Sequence, residues 1–127
     1  MWKLIPDAEY EKCRDKWPKK HHREFSAMHD NLDTLFLVLG AGVNSEQAKR
    51  QFGFVHAKYS RGILSIDQKG GGGGLKQSRL YVYPDDDEQC LYLLTMGDKS
   101  TQAANVKFCE EWVDDHLSHK NTGTQDE

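Results

Sequence analysis

Arg79-Leu-Tyr-Val-Tyr-Pro84, then Asp85-Asp-Asp-Glu88, then Cys90-Leu-Tyr-Leu-Leu-Thr-Met96 is the stretch that decides the fold. From Arg79 to Tyr83 apolar and polar residues alternate with the period of a strand. Leu80 and Val82 fall on one face, and Arg79, Tyr81 and Tyr83 on the other. Pro84 is expected to end this strand, and the acidic run to form a hairpin loop. Cys90–Met96 is mostly apolar and reads as a returning strand buried on both faces or nearly so. Gly97-Asp98-Lys99 turns the chain into a last helix, with an apolar stripe of Val106, Cys109, Trp112, Val113 and Leu117.

Upstream, Gly62–Asp67 reads as another strand (Ile63, Leu64, Ile66). The glycines Gly70–Gly74 read as a mobile loop, since a glycine run loses much entropy on ordering; a phosphate cradle would need the GK[ST] ending that is missing. Glu24–Leu39 carries Phe25, Met28, Leu32, Leu35, Phe36 and Leu39 at three- and four-residue steps, the mark of an amphipathic helix. Gly40 and Gly42 stop it. Asn44 and Gln47 form a capping pattern for a short helix through Gln51, so the two helices read as an αα-hairpin. Trp2–Ile5 is expected to be a short strand, and Asp7 to cap a helical turn through Cys13. Lys16–Arg23 is dense in positive charge and reads as a solvated helix start or a binding patch. The expected fold is α+β: a weak strand, two N-terminal helices packed on a small antiparallel sheet, and a C-terminal helix. One domain covers 1–117 and a polar tail 118–127.

The 127 residues carry a net charge of −3, which argues against coating nucleic acid by bulk attraction. The distribution is uneven. Residues 1–84 hold 14 basic and 9 acidic side chains, and 85–127 hold 3 and 11. A polyanion site is therefore expected in the first two thirds. No apolar run approaches membrane-helix length and the N-terminus lacks a signal-peptide core, so no membrane contact and a cytoplasmic location are expected. Cys13, Cys90 and Cys109 lack CxxC spacing, so neither a disulfide framework nor a zinc site is expected. His21, His22, His116 and His119 fit no metal pattern well.

A strand face with one arginine and two tyrosines is either an outer face stabilised by aromatic pairs or a surface that grips phosphates and stacks bases. Lys76, Lys99, His56, Lys58, Tyr59 and Arg61 are expected to extend it. In RNA cleavage, Arg or Lys would stabilise the phosphorane. A His, or a Lys or Tyr of depressed pKa, would move protons. His56 is then either a proton-transfer group or a buried or capping imidazole.

Phe52-Gly-Phe-Val-His56, Arg61-Gly-Ile-Leu-Ser-Ile, Arg79-Leu-Tyr-Val-Tyr-Pro and Leu91-Tyr-Leu-Leu-Thr-Met-Gly-Asp-Lys99-Ser-Thr-Gln102 together resemble the RelE/ParE toxin superfamily, in its phage- and plasmid-associated branch. The resemblance covers roughly 52–117. It implies a type II toxin–antitoxin toxin, an mRNA interferase that cleaves mRNA on the ribosome without metal or cofactor. A non-catalytic module of the same fold, binding gyrase, an antitoxin or a host protein, is the alternative. It further implies Arg79 and Lys99 as phosphate-holding residues. The family's C-terminal tyrosine has no counterpart among Asn105, Val106 and Phe108, so its role either passes to Tyr81 or Tyr83 or is absent. The expected catalytic set is Arg79, Lys99, His56 and Tyr81. The expected RNA-binding set is Lys58, Arg61, Lys76, Tyr83 and Gln102. Expected partners are a cognate antitoxin, mRNA and the ribosome, with a homodimer as a further assembly.

Overall fold

A computed structural model describes residues 1–125, with side chains through residue 120. The first strand, β1 (Lys3–Pro6), leads to Asp7, whose carboxylate accepts the Glu9 N–H at 3.0 Å and caps α1 (Ala8–Gly40). Helix α1 is one 33-residue element, kinked at His21 (φ −130°, ψ 48°), three residues after Pro18. Pro18 removes one backbone donor and crowds the turn before it, while the non-helical residue itself lies a turn later, at His21. Beyond the kink Met28, Leu32, Leu35 and Leu39 are buried, as the spacing predicts. The next helix, α2 (Ser45–Ala48), is a single turn, with Asn44 accepting the Gln47 N–H at 2.9 Å. The expected pair of N-terminal helices is thus replaced by one long kinked helix and one turn. The charged segment before Glu24 is itself helical, and the helix expected through Gln51 stops at Ala48.

The remaining elements are β2 (Val55–His56), β3 (Leu64–Ile66), β4 (Ser78–Asp85), β5 (Cys90–Asp98), a 3-10 turn (Lys99–Thr101) and α3 (Gln102–Gln125). They form a five-stranded sheet of order β1-β5-β4-β3-β2. The α+β class holds, but the sheet is mixed: β1 pairs parallel with β5, and the other pairs are antiparallel. Strand β4 also runs through Pro84. The register with β3 spans only Leu80 to Val82, so beyond Val82 that side of β4 is an open edge, where a missing donor is tolerated. Helix α3 continues through the polar stretch expected as a tail from Ser118, up to Gln125, and residues 126–127 lie outside the described residues.

The two sheet faces are both covered. Met28, Leu32, Leu35 and Leu39 of α1 meet Leu64, Ile66, Leu80, Val82, Leu91, Leu93 and Met96. On the other face Cys109 and Val113 of α3 meet Ile63, Tyr81 and Leu94. A bulge sets the second layer. Tyr81 pairs with Thr95 and Val82 with Leu93, leaving Leu94 as the extra residue on β5. Trp112 ties the layers together by donating from Nε1 to Asp7 Oδ1 at 3.0 Å.

The glycine run is docked rather than loose. Arg23 donates to the carbonyls of Gly71 and Gly73, and Asn31 to that of Lys69. A Cβ at Gly71 would lie 2.8 Å from the Ala27 Cβ, so the close approach to α1 needs glycine there. No described helix is long and apolar enough to cross a membrane.

Candidate nucleic-acid interface

Strand β5 delivers Asp98 to the mouth of the site. Its carboxylate accepts the N–H groups of Ser100 (2.8 Å) and Thr101 (3.3 Å), and the Thr101 hydroxyl oxygen accepts the Asp98 N–H at 3.1 Å. This reciprocal cap fixes the 3-10 turn that starts with Lys99. At Gly97, just before, a Cβ would meet Asn105 Nδ2 and Thr101 Oγ1, so a side chain there would displace the hydroxyl that caps the turn. The Lys76 ammonium sits 2.8 Å from Asp98 Oδ2 and, with Ser100, holds that carboxyl well below the usual carboxylate range.

The turn and the first two turns of α3 form one wall of a groove of about 670 Å³, with the segment after β2 as the other. Lys58, Tyr59, Lys99, Gln102, Val106 and Lys107 line it, with Glu110 as its one acidic residue. Lys58, Lys99 and Lys107 are exposed and make no ion pair among the described residues. Lys58 Nζ lies 5.8 Å from the centre of the Tyr59 ring. The Tyr59 hydroxyl is held 2.8 Å from Ser65 Oγ, and its ring packs edge-on to Tyr81. Charged amines, an aromatic face and a side-chain amide in one open groove suit the phosphates and bases of single-stranded nucleic acid.

The second wall is latched to α3. Arg61 adopts φ +62°, uncommon for a residue with a side chain. It donates to Asp114 Oδ1 at 2.8 Å and lies 3.1 Å from Glu110 Oε2, which also accepts from Ser60 Oγ. The bond to Asp114 raises the Arg61 pKa further. Arg61 therefore shapes the groove and is committed to acidic partners, unlike the RNA contact expected for it.

The face of Arg79, Tyr81 and Tyr83 is not an open surface, because α3 covers it. Tyr81 is 0% exposed, and burial first, with nearby Tyr59 second, pushes its phenol far above the ordinary range. It neither reaches a ligand nor has the depressed pKa that proton transfer would need, so its expected catalytic role is withdrawn. Tyr83 packs against Trp112 and His116. Arg79 is 9% exposed, and its Nη1 donates to Asp67 Oδ2 at 3.3 Å. The same oxygen lies 2.8 Å from His56 Nε2. Lys76 faces a neighbouring notch with Gln77, Asp98, Lys99 and Ser100.

Of the residues singled out from sequence, the groove gathers Lys58, Tyr59, Lys99 and Gln102. His56 lies two residues before its wall, while Arg61, Lys76, Arg79, Tyr81 and Tyr83 serve packing or ion pairs. Lys107 and Asp67 were missed. The step Lys99, Gln102, Val106, Glu110 marks one side of α3, and Lys107 sits beside it. Two of the three groove lysines come from the acidic third of the chain, against the charge-split expectation. Part of that third is paired: Asp85, Glu88, Asp98, Glu110 and Asp114 each face a cationic side chain. Asp85 accepts from His116 Nε2 (3.0 Å) and Lys120 Nζ (2.8 Å), so the Asp85, Glu88 and His116 cluster already holds a cation.

No protein-family model, curated protein or solved structure matches this chain.

Proposed function

We propose that the protein is a RelE-like toxin of a type II toxin–antitoxin system, which cleaves mRNA on the ribosome without a metal and acts in the cytoplasm under control of a cognate antitoxin. The convergence of Lys58, Tyr59, Lys99, Gln102 and Lys107 on one groove carries this reading. The lysines hold the backbone around the scissile phosphate, and Lys99 stabilises the charge that builds on the phosphorane. Tyr59 stacks a base in place of Tyr81. His56 moves the proton of the attacking 2′-hydroxyl.

One observation favours the second reading, a non-catalytic binding module of the same fold. Arg79, which the family resemblance assigns to the phosphate, is buried against a carboxylate. Expression of the protein alone separates the two, with translation and mRNA 5′ ends followed after induction. Cleaved transcripts and arrested growth, both lost in Lys58→Ala/Lys99→Ala, fit the nuclease. Arrested growth with intact mRNA in both proteins fits the binding module. Normal growth with soluble protein sinks the toxin reading altogether.

A further inference from the structure

We propose that Asp67 is the positioning residue of this site: it holds His56 in the tautomer that leaves Nδ1 as the basic nitrogen, and Arg79 holds Asp67. The chemical use of that arrangement rests on the RNA-cleavage reading above; the arrangement itself rests on geometry.

Asp67 follows β3 and is 6% exposed. Its Oδ1 accepts the Lys69 N–H at 2.8 Å. Its Oδ2 accepts from Arg79 Nη1 at 3.3 Å and lies 2.8 Å from His56 Nε2. A backbone amide and a guanidinium can only donate, so both carboxylate oxygens act as acceptors. His56 Nε2 must then carry the ring proton toward Oδ2, which puts the lone pair of the neutral imidazole on Nδ1. Nδ1 has no hydrogen bond among the described residues, and 28% of the His56 side chain meets solvent. Ser65, the cross-strand partner of His56, is the residue that Tyr59 bonds, so ring and groove wall share one anchor.

Arg79 is tied into this unit rather than into the groove. Its Nη1 serves Asp67 and its Nε is buried without a partner. It acts through Asp67, and Asp67 through His56. In the reaction the 2′-hydroxyl proton passes to Nδ1, and the 2′-oxygen–phosphorus bond forms. The phosphorus–5′-oxygen bond breaks, and the departing oxygen takes a proton from the Lys99 ammonium. The products are a 2′,3′-cyclic phosphate and a 5′-hydroxyl. Solvent then takes the proton from His56 and returns one to Lys99. The imidazolium formed in the first step is stabilised by the carboxylate against its Nε2.

The test combines nitrogen-15 NMR of histidine-labelled protein with single-turnover cleavage of a ribosome-bound mRNA. The spectrum of the wild-type protein, assigned with His56→Gln, should show neutral His56 protonated on Nε2. In Asp67→Asn that preference should collapse, and kcat should fall by about 100-fold or more with KM within roughly twofold. A purely structural role would leave the tautomer and kcat of the folded variant unchanged. An Nδ1-protonated ring in the wild-type protein overturns the proposal without any variant, as does full kcat in folded Asp67→Asn. If the wild-type protein cleaves no mRNA, the nuclease reading falls, while the tautomer still decides whether Asp67 positions His56.

Discussion

The two faces of the sheet are built from different chemistry. Under α1 the layer is aliphatic, from Met28 and Leu35 to Leu80 and Leu91. Under α3 the fully buried apolar cluster is small (Ile63, Tyr81, Leu94, Cys109, Val113); half-buried aromatics such as Tyr83, Tyr92 and Trp112 pack against it, and hydrogen-bonded polar groups flank it. On one side Asp67 bonds Arg79 and His56, and separately Tyr59 bonds Ser65; on the other Asp85 bonds His116 and Lys120. Burial of apolar area stabilises without regard to direction. Bonded polar groups contribute little net stability but fix positions. The α1 layer therefore holds the fold together, and the α3 layer sets the groove.

Core truncation is the strongest way to break this contrast. Leu35→Ala or Leu80→Ala, both essentially fully buried, should cost about 3 kcal/mol in denaturant unfolding. Cys109→Ala under α3 removes a smaller group and should cost about 1 kcal/mol. Equal losses would erase the distinction. Gly97→Ala comes next. The added methyl meets Asn105 Nδ2 and Thr101 Oγ1, so both side chains must turn away and the Thr101–Asp98 cap is broken, at about 1 kcal/mol, and Asn105→Ala in the same chain should restore part of the loss.

The ion pairs under α3 give a pH signature. Burial pushes Asp85 up, but bonds from Lys120 and His116 outweigh it and hold its pKa below the ordinary 3.8. A depressed native pKa adds stability that is present above the unfolded value and lost as pH falls through the native one. Stability should thus decline below about pH 4, and Asp85→Asn should lower stability at neutral pH while flattening that decline. An unchanged acid profile in Asp85→Asn would remove the pair from the account. The smallest effect is on binding. Removing one groove lysine should reduce the slope of log affinity for single-stranded RNA against log salt by about 0.7. Lys16→Ala on α1 should leave it unaltered.

Much of the α1 layer was legible in the amino acids. The steps from Phe25 to Leu39 gave the buried stripe, and the alternation from Arg79 to Tyr83 gave two unlike faces of β4. Periodicity tells faces apart but does not tell what covers them. Arg79 and Tyr81 look like surface residues until α3 is laid over them, because a buried polar group with partners has the same one-letter pattern as an exposed one. The first half of α1 was hidden for a related reason: it is charged nearly all round and contains Pro18, so no apolar stripe marks it. In the site, Lys58, Tyr59, Lys99 and Gln102 were readable as charge, aromatic character and resemblance. Lys107 needed the geometry of α3, and Asp67 needed the distance across β3 and β4.

The proposed function requires single-stranded RNA to lie in the groove between α3 and the segment after β2. Titration of nitrogen-15-labelled protein with a short unstructured RNA tests it residue by residue. Backbone shifts should concentrate at Lys58, Tyr59, Lys99, Gln102 and Lys107, with the α1 segment 16–23 unmoved. Shifts confined to 16–23, or none at any RNA concentration that saturates the mixture, would contradict it.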